Sequence, residues 1–118
     1  MKGFDLEGRT SKFSLATIKC LRSFPKTVID TPMISQLIRS ATSIGANYRE
    51  ANNYESKNDF VHKIALCRKE SRETQYWLEL LLESHPDRGE ELRNLLREAE
   101  ELNLIFSRII ISSKSPNK

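Results

Sequence analysis

The run TPMISQLIRSATSIGANYREANN, from Thr31 to Asn53, decides the fold. Within it Ile34, Leu37, Ala41, Ile44, Tyr48 and Ala51 alternate spacings of three and four, the seam of a helix packed against neighbours. Gln36, Ser40, Ser43, Asn47 and Glu50 form a polar stripe beside that seam. The small residues Ser40, Ala41, Gly45 and Ala46 allow another helix to approach closely. Thr31 is placed to cap the helix, and Pro32 suits its first position, where a missing N–H costs nothing. A helix over 32–53 is expected.

The same spacing continues on both sides. Downstream, Ser56 with Asp59 three residues on resembles a capping box. Phe60, Ile64, Cys67, Ser71, Thr74, Leu78 and Leu81 then carry a seam over 57–84, which His85-Pro86 breaks. Asp87 with Glu90 offers the next cap, and Leu92, Leu95, Ala99, Leu102, Phe106 and Ile109 mark a helix over 88–112. Upstream, Phe13, Ala16, Cys20, Leu21 and Phe24 gather on one face of a helix over 10–24 that Pro25 ends. The polar stretch 113–118, with Pro116, is expected to fray. Short connections place successive helices side by side, so the expected fold is all-α: one domain, residues 1–118, forming an antiparallel up-down-up-down four-helix bundle.

Composition agrees with this class. The chain has 118 residues, 38% hydrophobic and 30% charged, and only four glycines and four prolines to make turns. No apolar run approaches a membrane span, and Met1 to Arg9 lacks the apolar centre of a signal peptide. Cys20 and Cys67 fall on apolar helix faces, as expected of buried free thiols in a reducing cytoplasm. A cytoplasmic location is therefore expected.

Catalytic chemistry finds little support. A di-metal carboxylate centre needs two Glu-x-x-His pairs and further inward carboxylates, whereas Asp59-x-x-His62 occurs once, with His62 on the outer face. No phosphate loop, nucleophile elbow or zinc motif is present. Glu70/Glu73 and Glu79/Glu83 are interleaved with Arg68, Lys69 and Arg72, a pattern of surface ion pairs. The expectation is a protein that is not an enzyme, with no cofactor, metal or small-molecule substrate.

Charge distribution is more informative than the net charge of +3. From Gly8 to Ile29 the basic residues Arg9, Lys12, Lys19, Arg22 and Lys26 occur without a single acid. On the third helix His62, Lys69 and Tyr76 recur every seven residues, with Arg72 near the same line. Such faces can pair with phosphates and stack on bases, although the third-helix pattern taken alone fits a solvated face with one exposed tyrosine better. The candidate nucleic-acid contacts are Lys12, Lys19, Arg22, Lys26, Arg68, Lys69 and Arg72, with Arg39 and Arg49 as weaker ones. Trp77, with Leu66, Glu70 and Glu73, forms a shoulder off the main seam. It is either an oligomer contact or part of a wide apolar stripe that wraps into the bundle.

The segment from Gln36 to Ala51 resembles the hallmark segment of the bacterial 23S ribosomal RNA intervening-sequence protein family. Asp59-Phe60, Ile64-Ala65, Lys69-Glu70, Glu73-Thr74 and Tyr76-Trp77-Leu78-Glu79-Leu80 are similar to that family's third helix, in the expected order. Arg49-Glu50-Ala51 departs from it, since many members carry an acidic residue followed by glycine. The resemblance implies a four-helix bundle assembled as a ring-like homo-oligomer, typically a pentamer, without established catalytic activity. It also implies a reverse transcriptase and nucleic acid as partners, as for the related bundle proteins; the basic residues point to structured RNA or another nucleic acid. The rival to an RNA-binding role is a protein–protein scaffold or accessory factor whose basic residues only aid solubility.

Overall fold

The computed structural model describes residues 5–114. Four α-helices fill it: α1 (Leu6–Leu21), α2 (Asp30–Asn52), α3 (Lys57–Ser84) and α4 (Gly89–Lys114). A single 3-10 turn, Pro86–Arg88, joins the last two. No strand occurs among the described residues. Residues 115–118 of the expected frayed tail, including Pro116, lie outside the described residues, whereas Ser113 and Lys114 belong to α4.

Three helix starts differ from expectation, each for a local reason. Helix α1 begins earlier because the Asp5 side chain accepts from Gly8 N at 2.9 Å. It ends before Pro25, with Arg22 as its C-cap. Helix α2 starts at Asp30, with Ile29 and not Thr31 as its N-cap and no side-chain cap; just ahead of it Asp30 N donates to Thr27 Oγ1 at 2.9 Å, and Thr31 N to the Thr27 carbonyl at 3.0 Å. Pro32 therefore stands inside the first turn, where its N–H would still lack a partner. Asp87 lies within the 3-10 turn instead of capping, and α4 starts at Gly89. Helix α3 starts as expected, with Asp59 N donating to Ser56 Oγ at 3.0 Å.

The helices bury one continuous core. Leu37, Ala41, Ile44 and Ala51 from α2 meet Ile64, Cys67, Leu78 and Leu81 from α3. Leu92, Ala99, Leu102 and Phe106 from α4 complete it. Two seam assignments change: Ile110 rather than Ile109 is buried on α4, and Ala16 is exposed on α1. The buried line of α1 is instead Leu6, Thr10, Phe13, Thr17, Cys20 and Leu21. Thr10 and Thr17 are tolerated there because each hydroxyl donates to a carbonyl of its own helix, Glu7 O and Phe13 O.

Cross-helix pairs show how neighbours run. Rising numbers on α1 (Glu7, Thr10, Ser14) meet falling numbers on α2 (Asn52, Gly45, Ala41). Ser40, Ile44 and Glu50 of α2 meet Thr74, Cys67 and Lys63 of α3 in the same inverted order. Gly45 is where α1 comes closest, since a Cβ there would sit 3.2 Å from Thr10 Oγ1. The small residues of α2 thus do admit a neighbour, although Ala46 itself faces solvent. Helices α2 and α4 each touch both others, whereas α1 does not touch α3. The bundle measures 50 × 22 × 20 Å, with α1 and α3 on its diagonal.

Candidate nucleic-acid interface

That diagonal divides the basic residues into two sets. Lys12 and Lys19 project from α1, Arg22 is its C-cap, and Lys26 follows in the connection to α2; all four are exposed. Lys69 and Arg72 are exposed on α3, and Arg68 is half-buried beside them. Since α1 and α3 do not touch, the two sets lie on separate helices across the diagonal of the bundle.

Ion pairing separates cations with partners from those free for a ligand. Arg9 binds Glu98 at 2.6 Å and approaches Glu101 at 3.6 Å. Its guanidinium is held above its ordinary pKa, chiefly by the hydrogen bond with Glu98. Arg39 bridges Glu70 at 3.3 Å and Glu73 at 2.5 Å. Arg88 pairs with Glu91, and Lys63 with Glu50. Among the described residues, none of Lys12, Lys19, Arg22, Lys26, Arg68, Lys69 or Arg72 enters an ion pair. Arg39 thereby becomes a tie between helices, and Arg49 reaches Ser11 at 3.4 Å.

Glu70 and Glu73 do form ion pairs, but across to α2 instead of with Arg68, Lys69 or Arg72 on their own helix. Glu73 also accepts from Trp77 Nε1 at 3.1 Å. The hydrogen bonds from Arg39 and then Trp77 hold its carboxylate below the usual range. Trp77 is half-buried against the core, stacked edge-on with exposed Tyr76, and Leu66 is half-buried. Trp77, Glu70 and Glu73 are thus engaged inside the chain, whereas Leu66 is not among the residues packed on the core.

Beside the basic side of α1 runs a groove of about 670 Å³ against α4, lined by Phe13, Ala16 and Leu95 and edged by Arg9, Lys12 and Glu98. On that flank the acids Glu98 and Glu101 of α4 are taken up by Arg9, and Glu91 is taken up by Arg88. The exposed cations of the first set, without an ion pair among the described residues, therefore lie along α1 and at the end where it joins α2.

That end carries a cluster not evident from sequence spacing. His85 Nε2 lies 2.8 Å from Asp30 Oδ1, and Thr27 Oγ1 lies 2.9 Å from Asp30 Oδ2. The bond with His85, and then that with Thr27, holds the Asp30 carboxyl below its ordinary pKa. Phe24 packs edge-on against the His85 ring at 5.0 Å, and the Arg88 guanidinium lies 4.1 Å from the Phe24 ring centre. Arg88 also donates to the Cys20 carbonyl and to Ser23 Oγ. The connection between α1 and α2 is therefore anchored by His85, which ends α3, and by Arg88 of the 3-10 turn.

Asp59 is occupied as a helix-start acceptor for Glu55 N, and His62 is exposed. No group of three or more metal-type ligands gathers among the described residues. None of their helices is long and apolar enough to cross a membrane.

The seam residues of α2 and α3 that meet in the core, and the hallmark segments that carry them, lie inside a family match spanning residues 5–108. The chain belongs to the 23S rRNA-intervening sequence protein family. It is also similar to a crystal structure of a protein of unknown function from the S23 ribosomal protein family of Bacteroides thetaiotaomicron. Identity to that protein is 33%, the match covers 90% of this chain and 98% of the other, and the TM-score is 0.79. Comparison with curated proteins returns no match. The departure of this member at Arg49-Glu50-Ala51 is accommodated by the helix: Ala51 is fully buried and α2 continues to Asn52.

Proposed function

We propose that this family member is a non-catalytic, oligomeric nucleic-acid-binding protein that holds structured RNA through phosphates along α1. The observation that carries the reading is the set Lys12, Lys19, Arg22 and Lys26: four exposed cations in a stretch without acids, none of them ion-paired among the described residues. Lys12 and Lys19 lie two helical turns apart, about 10 Å along the axis, which spans about three steps of a nucleic-acid strand. Contacts of this kind fix a backbone in register without reading its sequence. Arg68, Lys69 and Arg72 supply a second, separate face.

Assembly as a homo-oligomeric ring, a pentamer, belongs to the same proposal, because repetition of a weak phosphate site raises affinity without new contacts. Filter binding of a structured RNA across a salt series tests the reading. Affinity should fall steeply with salt and vary little with sequence. Weak binding that ignores salt refutes it and favours a protein–protein scaffold.

A further inference from the structure

At the end of the α1 stripe stand the most exposed large apolar side chains among the described residues. Val28 is 88% exposed and Ile29 72% exposed, adjacent in the connection between α1 and α2. Single exposed aliphatics need no explanation, but a neighbouring β-branched pair at a tip is a different feature. The backbone carrying them is anchored. Thr27 on one side and Asp30 on the other exchange two hydrogen bonds, and His85 fixes Asp30 from another helix. The Phe24 ring, buried and covered by Arg88, holds the preceding residues. Arg22 and Lys26, both exposed and unpaired among the described residues, flank the tip on its α1 side.

We infer that Val28 and Ile29 form an apolar wedge that inserts at an unstacked base step while the α1 cations grip the adjoining phosphates. This rests on the phosphate-binding reading and narrows its ligand to RNA with a bulge, loop or helix junction. The physical logic has three parts. An apolar tip gains by leaving water, and the exposed faces of unstacked bases are apolar surface that gains likewise. Wedges of this kind cost unstacking energy, which is least where pairing is already interrupted. An anchored tip loses little conformational entropy on insertion. The flanking cations favour a polyanionic partner over an apolar protein pocket, which would have to bury Arg22 and Lys26 or supply acids for them.

The test uses the full chain and two RNA hairpins with the same stem, one uninterrupted and one with a two-nucleotide bulge beside 2-aminopurine. Wild-type protein should prefer the bulged hairpin by about tenfold or more, tenfold being the lower limit for fully burying one aliphatic side chain. The 2-aminopurine fluorescence should rise on binding as the base unstacks. The double variant Val28→Ser/Ile29→Ser should lose that preference and the fluorescence rise while keeping the salt dependence of binding. Leu104→Ser/Ile111→Ser, which changes exposed aliphatics on α4, should alter neither. Salt-dependent binding without preference for the bulge overturns the wedge and leaves the phosphate reading standing. Absence of salt-dependent binding overturns both. If the Val28/Ile29 variant retains bulge discrimination but no longer self-associates, the tip is a contact between copies and the wedge is overturned.

Discussion

Replacing Lys19 and Arg22 with glutamine removes two of the four free cations on and beside α1 and leaves the buried core untouched. If all four contact phosphate, log affinity should fall against log salt with a slope of about −2.8 for single-stranded RNA to −3.6 for a duplex. A rise from 50 to 200 mM salt then weakens wild-type binding by about 50- to 150-fold. With two contacts left, the slope halves, and the same rise weakens binding by only about 7- to 12-fold. Arg9→Gln is the informative control, because Arg9 is already neutralised by Glu98 and Glu101 and should leave the slope unchanged. Arg68→Gln/Lys69→Gln/Arg72→Gln tests the opposite side of the bundle and should matter only if one RNA wraps both faces. Fluorescence anisotropy of a labelled hairpin, with circular dichroism to verify helix content, measures all four proteins. The reasoning is refuted if the Lys19/Arg22 variant keeps the wild-type slope, or if Arg9→Gln lowers it equally.

Three further outcomes follow from the core and the bundle end. Phe106, fully buried and tilted against Tyr48, should cost about 3–5 kcal/mol of stability when replaced by alanine, measured by urea unfolding. Because Asp30 sits below its ordinary pKa of 3.8 in the folded chain, its contribution is complete above that value and is lost as pH falls through the lower folded value. Asp30→Asn should therefore flatten the acid limb of unfolding midpoint against pH; an unchanged limb would contradict the Asp30–His85 pairing. Burial pushes the Cys67 thiol up to about 12 and raises Cys20 as well, so a thiol reagent should modify neither in native protein and both after denaturation.

Much of the fold was legible because helix seams and caps are local. The α2 and α3 periodicities depend on residues three and four apart, and Ser56 reaches Asp59 N within its own turn. Helix α1 was harder to read because Thr10 and Thr17 stand in its buried line, and a hydroxyl that donates to its own helix looks like a surface residue in sequence. The α2 start was misplaced because Thr31 looks like a cap in sequence, whereas the helix begins at Asp30 behind the apolar Ile29, with Asp30 N already bonded to Thr27 Oγ1.

The candidate site divides in the same way. The basic stretch from Gly8 to Ile29 is evident from composition alone, since it contains no acid. Which cations remain free is not, because that depends on acids far along the chain. Arg9 finds Glu98, and Arg39 finds Glu70 and Glu73, only when α1 meets α4 and α2 meets α3. Sequence by itself determined the number and order of the helices, the seams of α2 and α3, and the family. Tertiary structure decided that the two basic faces stand on a diagonal and that Val28 and Ile29 project from an anchored tip. Helix formation is governed by neighbours within a turn, whereas ion pairing and exposure depend on which distant surfaces the packed core brings together.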